Sequence, residues 1–361
     1  MSHESRPHDS RPHTARPHDS RPHTARPGVS REVRLAAVPD GLPRPEHFEV
    51  AEAPLPEPAP GQALVRNRFF HVFAALRTLI GGLQGAPLPP LRPGDTLIGP
   101  AVGEVVSAPD GAALRPGDLV LHGQGWREYA AVPVERCVPL GDALPDPAAH
   151  LSKGWIAYAA LALNARVRPG DTVFVSGGAG AVGSMAGQIA RLLGARRVVG
   201  GTGSPEKAAR MLDELGYDAV VLRGGAPTAE QLAEAAPDGI DVHLDNSGGE
   251  QLRGALAAAR PDARFVLVGA LSGQLSERGT GGSAPVELDT YQLILKRVTV
   301  RGLSAPDDPE EQARWTERFG GWLRSGEIVF PHVRVPGIDQ APRALHEVFT
   351  GRHFGAVLVE V

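Results

Sequence analysis

Gly178, Gly180 and Gly183 form Gly-x-Gly-x-x-Gly inside SGGAGAVGSMAGQIA (176–190). The apolar run TVFVS (172–176) precedes them, and Val182, Met185, Ile189 and Leu193 follow at helical spacing. Such a turn lets the backbone fold back tightly and approach a pyrophosphate, and the amides of Ala181, Val182 and Gly183 at the start of the helix then face the anion. The bare motif also occurs as a ligand-free glycine turn; the strand before it and the helix after it are what point to a dinucleotide. Coenzyme choice is made at the end of the second strand, where a carboxylate accepts from the ribose 2′-hydroxyl of NAD and repels a 2′-phosphate. That place reads Gly200-Gly201-Thr202-Gly203-Ser204, with no acid. Ser204 offers a hydroxyl, and Lys207 and Arg223 bring positive charge nearby, so the expected coenzyme is NADPH. Taken singly, Lys207 also reads as an exposed helix lysine and Arg223 as a loop charge.

The elements that must hold this turn follow from hydrophobic pattern. Strand-like runs TVFVS, RVVGGT (197–202), AVVL (219–222), IDVHLDN (240–246), RFVLVGA (264–270) and VTVRGL (298–303) alternate with helical stretches, one marked by Ala208, Met211, Leu212 and Leu215. Strands joined by helical crossovers imply a parallel, doubly wound α/β sheet. From about Val33 to Cys137 the chain instead carries short β-rich runs, ALVRNRFF, GEVVSA, DLVLHG and REYAAVPV, between turn clusters. RPGD recurs at 92–95, 115–118 and 168–171, each time before a strand-like run. The stretch from about 326, ending in GAVLVEV, returns to strand character and is expected to rejoin the β-rich unit.

The length of 361 residues allows at least two cores, and 42% apolar with 22% charged residues at a net charge of -4 suits a globular protein without a nucleic-acid or membrane partner. The lone Cys137 permits neither an internal disulfide nor a multi-thiolate zinc site, and no metal is expected. The longest uncharged run, 172–190, holds five glycines and is no membrane span, so the chain reads as cytoplasmic. RPHDSRPHTA (6–15) repeats unchanged at 16–25, and residues 1–30 read as a disordered tail, able to hold a metal only loosely through its five histidines. Trp315, Phe319 and Trp322 lie at helical spacing and read as core rather than ligand-stacking rings.

With GWREY (125–129), GWIAY (154–158), the glycine turn, EKAARMLDELGYDA (206–219), DNSGGE (245–250) and GRHFGAVLVEV (351–361), the chain resembles the zinc-free medium-chain dehydrogenase/reductase branch of NADPH-dependent alkenal and enone double-bond reductases. The resemblance implies a GroES-like β-barrel domain (31–153 and 326–361), a Rossmann NADPH-binding domain (154–325) and a homodimer. It places Tyr158, Asn246, Gly269, Ala270 and Leu271 beside the coenzyme, and Phe69, Phe70 and Phe73 against an apolar substrate. Ala75 stands where family members commonly carry a donor tyrosine, and His353 and Ala356 where they carry Asn and Lys. His71 and Tyr291 are the candidate replacement donors; each also reads as a packed residue, and the coenzyme's ribose hydroxyl is a further source. The implied reaction is hydride transfer to the β-carbon of an α,β-unsaturated carbonyl. A non-redox biosynthetic role, such as cyclisation or isomerisation, and a non-catalytic NADPH-binding role are the alternatives.

Overall fold

A computed structural model describes residues 28–83, 89–276, 281–304 and 308–361. Most of the expected N-terminal tail lies outside these residues. Its expected end at residue 30 runs slightly too far, because Val29 and Ser30 already belong to the first strand, β1 (Val29–Leu35), which pairs antiparallel with β2 (Phe48–Pro54).

The β-rich unit continues through β3 (Gln62–Val72), β4 (Ala101–Ser107), β5 (Leu119–His122), β6 (Tyr129–Pro133) and β7 (Val138–Pro139). The two RPGD turns of this unit and the third, just before the second unit's first strand, share one construction. Gly94, Gly117 and Gly170 take φ of 93°, 94° and 92°, a left-handed conformation that glycine adopts without steric cost. The Asp95, Asp118 and Asp171 carboxylates accept from the amides of Arg92, Arg115 and Arg168 at 2.7–2.8 Å.

The second unit holds β8 (Thr172–Val175), β9 (Arg197–Thr202), β10 (Ala219–Leu222), β11 (Ile240–Asp245), β12 (Ala259–Leu267) and β13 (Thr299–Gly302). They form one sheet in the order β10-β9-β8-β11-β12-β13, every pair parallel. This is the dinucleotide-binding order, with its reversal between β8 and β11. Strand β12 begins at 259 instead of the expected 264, its register shifting against β11. On the helix Pro205–Leu215, Ala208, Met211 and Leu215 are buried, whereas Leu212, at the rim of that stripe, is exposed.

After the helix Pro309–Ser325, strands β14 (His332–Pro336) and β15 (Ala356–Glu360) return to the β-rich unit, giving the seven-stranded order β14-β15-β3-β4-β5-β7 with β6 paired to β3. Trp315 and Phe319 are buried in the core beside the parallel sheet, with ring centroids 5.0 Å apart.

Candidate active site at the sheet reversal

The glycines of the first turn have separate physical roles. A Cβ on Gly178 would lie 2.4 Å from Met211 Cε and 3.1 Å from Tyr217 Oη; one on Gly183 would lie 2.2 Å from the Gly177 carbonyl oxygen. Gly178, with Gly187 and Gly200, lets buried Tyr217 and Met211 wedge between the helix Gly183–Leu192 and β9, whereas Gly183 lets the helix start close against the backbone of Gly177 and Gly178. The Tyr217 hydroxyl donates to the Gly183 carbonyl at 2.7 Å, and burial pushes its pKa well up. Gly180 differs: a Cβ there meets only the Gly177 carbonyl oxygen, at an ordinary 3.4 Å. No side chain caps the following helix, whose N-cap is Val182, and an uncapped amide end of this kind is suited to an anion.

Gly203, Ser204, Lys207 and Arg223 gather on one rim. A Cβ on Gly203 would lie 2.8 Å from Arg223 Nη2, so the missing side chain is what admits the guanidinium. Ser204 caps the helix Pro205–Leu215 by accepting from the Lys207 amide at 3.3 Å. The Lys207 ammonium donates to the carbonyls of Gly351 and His353, which leaves one N–H for another acceptor; burial, with Arg210 and Arg223 nearby, lowers its pKa. This set fits a 2′-phosphate: it holds cations and a hydroxyl around an open backbone and no carboxylate.

At the sheet reversal, Asp245 organises the loops. Burial opposes its charge, yet contacts with His243, the Ser176 hydroxyl at 2.6 Å and the Gly248 amide at 3.0 Å hold its pKa down at about 2. Asn246 donates to the Ser176 carbonyl at 2.7 Å. The Gly269 and Leu271 amides donate to the carbonyls of Asp245 and Asn246, and Ala270 starts the turn Leu271–Gln274. A Cβ on Gly177 would touch Asn246 at 3.4 Å and Leu271 at 3.5 Å, so the glycine turn and both loops meet here.

Several expected positions lie differently. Tyr158 is buried against Trp315 at 5.2 Å and its hydroxyl accepts from Arg318, so its polar end is already engaged. Phe69 and Phe70 fall on opposite faces of β3. Phe70 is fully buried in the β-unit core against Trp126, 5.0 Å away, and is no pocket wall. Phe69 packs with Val102, Leu151 and Leu358 under the Arg334 guanidinium. Phe73, just past the end of β3, is half-buried, and Ala75 beyond it is exposed.

Neither candidate donor is placed to act. His71 is 1% exposed, stacked behind Phe73 at 5.7 Å, with both ring nitrogens buried; burial and the Lys153 charge keep it neutral. Tyr291 is 65% exposed on the helix Thr290–Lys296. Lys296 of that helix donates to the carbonyls of Leu256 and Ala257, just before β12, at the sheet end opposite the loops 246–248 and 269–272. Sequence reasoning missed Lys153, whose ammonium lies 5.6 Å from the Phe73 ring centroid. The signal available was its position directly before GWIAY.

Comparison with known proteins agrees with this geometry. Residues 31–140 match the family profile described as the N-terminal domain of oxidoreductase, and 181–319 match the one described as zinc-binding dehydrogenase. Among the described residues no group of three His, Cys, Asp or Glu side chains is placed to hold a metal. NADPH-dependent curcumin reductase of Escherichia coli is 30% identical over 336 residues, 91% of this chain and 95% of that one. The NADP(+)-dependent 2-alkenal reductase of Nicotiana tabacum is 27% identical over 342 residues, 92% and 97% of the two chains. The crystal structure of CurA in complex with NADPH from Vibrio vulnificus superposes with a TM-score of 0.82 at 30% identity, covering 92% of this chain and 99% of that one. A reversal-point turn, an acid-free second strand and full-length likeness to these reductases together mean that the chain belongs to the medium-chain dehydrogenase/reductase superfamily, in its branch of NADPH-dependent double-bond reductases.

Proposed function

We propose that this protein reduces the carbon–carbon double bond of an apolar α,β-unsaturated carbonyl compound. The carrying observation is the Gly203–Arg223 rim, built for a phosphorylated dinucleotide, beside an open Gly180 at the sheet reversal. When bound, NADPH supplies the hydride that the β-carbon receives. Gly180 and the amides of Ala181, Val182 and Gly183 hold the pyrophosphate, while Ser204, Lys207 and Arg223 hold the 2′-phosphate. Asn246 and Gly269–Leu271 wall the reactive end, and Phe73 presents an apolar face to the substrate. The β-rich unit takes 29–153 and 326–361 and the coenzyme unit 154–325. Among the described residues no helix is long and apolar enough to cross a membrane, and we place the enzyme in the cytoplasm.

Purified protein mixed with NADPH and a panel of enals, enones and quinones is expected to consume NADPH only when acceptor is present, read as loss of the reduced-nicotinamide absorbance. Ala75, an exposed methyl where relatives carry a donor, favours the non-redox alternative. Product formation without NADPH loss would establish that reading instead, and tight NADPH binding with no conversion of any substrate would leave a binding protein.

A second copy of the chain is the expected partner. All residues of β13, the outermost strand, are exposed, and the adjoining helix leaves Ile294 at 68% and Leu295 at 55% exposure. An apolar patch on an open sheet edge is suited to self-pairing. Ile294→Glu is expected to shift the protein from dimer to monomer in sedimentation velocity, with little change in thermal midpoint of the protomer.

A further inference from the structure

Lys153 sits where the β-rich unit passes into the helix Gly154–Tyr158, which packs on the helix of the glycine turn. Its ammonium lies over Phe73, 5.6 Å from the ring centroid, and Phe73 in turn covers His71. Among the described residues no carboxylate pairs with it, and none offsets its loss of water. A half-buried ammonium held against an aromatic face without a counter-ion is costly to the resting fold. The cation–π contact recovers only a part of that cost. A cation–π contact uses none of the ammonium's N–H groups as a hydrogen bond, and these suit an oxygen that acquires negative charge.

We propose that Lys153 is a catalytic residue whose Nζ–H donates to the substrate's carbonyl oxygen as that oxygen becomes an enolate. The inference rests on the reductase reading above. On reduction the β-carbon gains a hydride from NADPH, which leaves as NADP+; the π pair of the C=C bond shifts so that its charge rests on the carbonyl oxygen. The α-carbon then takes one proton from water, the carbonyl re-forms, and Lys153 stays protonated throughout. His71, neutral and sealed behind Phe73, adds no competing positive charge to the site.

Burial lowers the Lys153 pKa from 10.5 to about 8. The ammonium is therefore present below pH 8, and kcat is expected to fall as pH rises through about 8. The folded pKa lies below the unfolded one, so the charged lysine weakens the fold fully below pH 8, and that penalty fades between 8 and 10.5.

Lys153→Met is expected to lower kcat about a hundredfold with KM within a few-fold, and to abolish the alkaline fall. Lys153→Arg keeps the charge and is expected to retain most of the rate. Two readouts are independent of turnover. At pH 7 the thermal midpoint of coenzyme-free Lys153→Met rises above wild type, and p-nitrophenol bound to wild type ionises about one pH unit lower than when bound to the variant. Unchanged kcat in Lys153→Met overturns the proposal. So does a lower midpoint with unaltered p-nitrophenol ionisation, which marks a packing role, or a loss confined to KM for carboxylate-bearing substrates, which marks a charge-reading role. If wild type reduces no acceptor yet still ionises p-nitrophenol through Lys153, the reductase reading fails and the oxyanion site stands as a binding site only.

Discussion

Gly180→Asp removes coenzyme binding and leaves the protein folded. The position has no positive φ, and a Cβ there meets only the Gly177 carbonyl oxygen at 3.4 Å, so the aspartate side chain is accommodated. Its carboxylate would stand at the amide end of the helix Gly183–Leu192, where the pyrophosphate must lie. Two like charges about 4 Å apart at an effective dielectric of about 20 repel by about 4 kcal/mol, roughly a thousandfold in Kd. Titration of NADPH against protein fluorescence measures this, with Gly180→Ala as the neutral control of near wild-type affinity and circular dichroism as the check on folding. Equal affinities for the Asp and Ala variants would refute the assigned turn. Gly178 and Gly183 are unsuitable for the purpose, since a Cβ at either collides with neighbours at 2.4 Å or less and disturbs packing first.

Arg223→Ala turns an enzyme that tells its coenzymes apart by the 2′-phosphate into one that hardly does. The guanidinium lies over Gly203, and a charge-assisted contact to a phosphate contributes about 1.5–3 kcal/mol. KM for NADPH is expected to rise about 10- to 100-fold while KM for NADH stays put, because NADH has nothing at the 2′ position for the arginine to grip. Steady-state kinetics with both coenzymes decides it: a parallel rise for both would place Arg223 in general packing of the rim.

The parallel sheet is legible in the sequence because strands buried on both faces must be continuous apolar runs, and RVVGGT and AVVL coincide with β9 and β10 residue for residue. The return of the C-terminal segment to the β-rich unit is legible for the same reason in GAVLVEV. Parity within β3 is not. In NRFFHVF the aromatic residues are adjacent, and composition cannot say which of Phe69 and Phe70 faces inward; only pairing of Phe70 with Val359 and Ala101 fixes it. The same parity buries His71, which the sequence presents as an ordinary polar break. Tyr291 misleads because closeness in sequence to the last sheet strand says nothing about which end of the sheet its helix reaches. Lys153 escapes because a lysine ahead of a helix usually points to water, and the Phe73 ring that covers its ammonium is far away in the sequence. The acid-free stretch 200–204 is legible as chemistry, but the collision that Gly203 avoids with Arg223 is a fact of three dimensions.

The Gly355 amide bonds to the Ala179 carbonyl at 2.9 Å, and the Lys207 ammonium clasps Gly351 and His353. Both ties join the C-terminal segment to the coenzyme unit, one at the glycine turn and one at the start of the helix Pro205–Leu215. Parting the two units there must break all three bonds, so the units are held together on that side of the cleft.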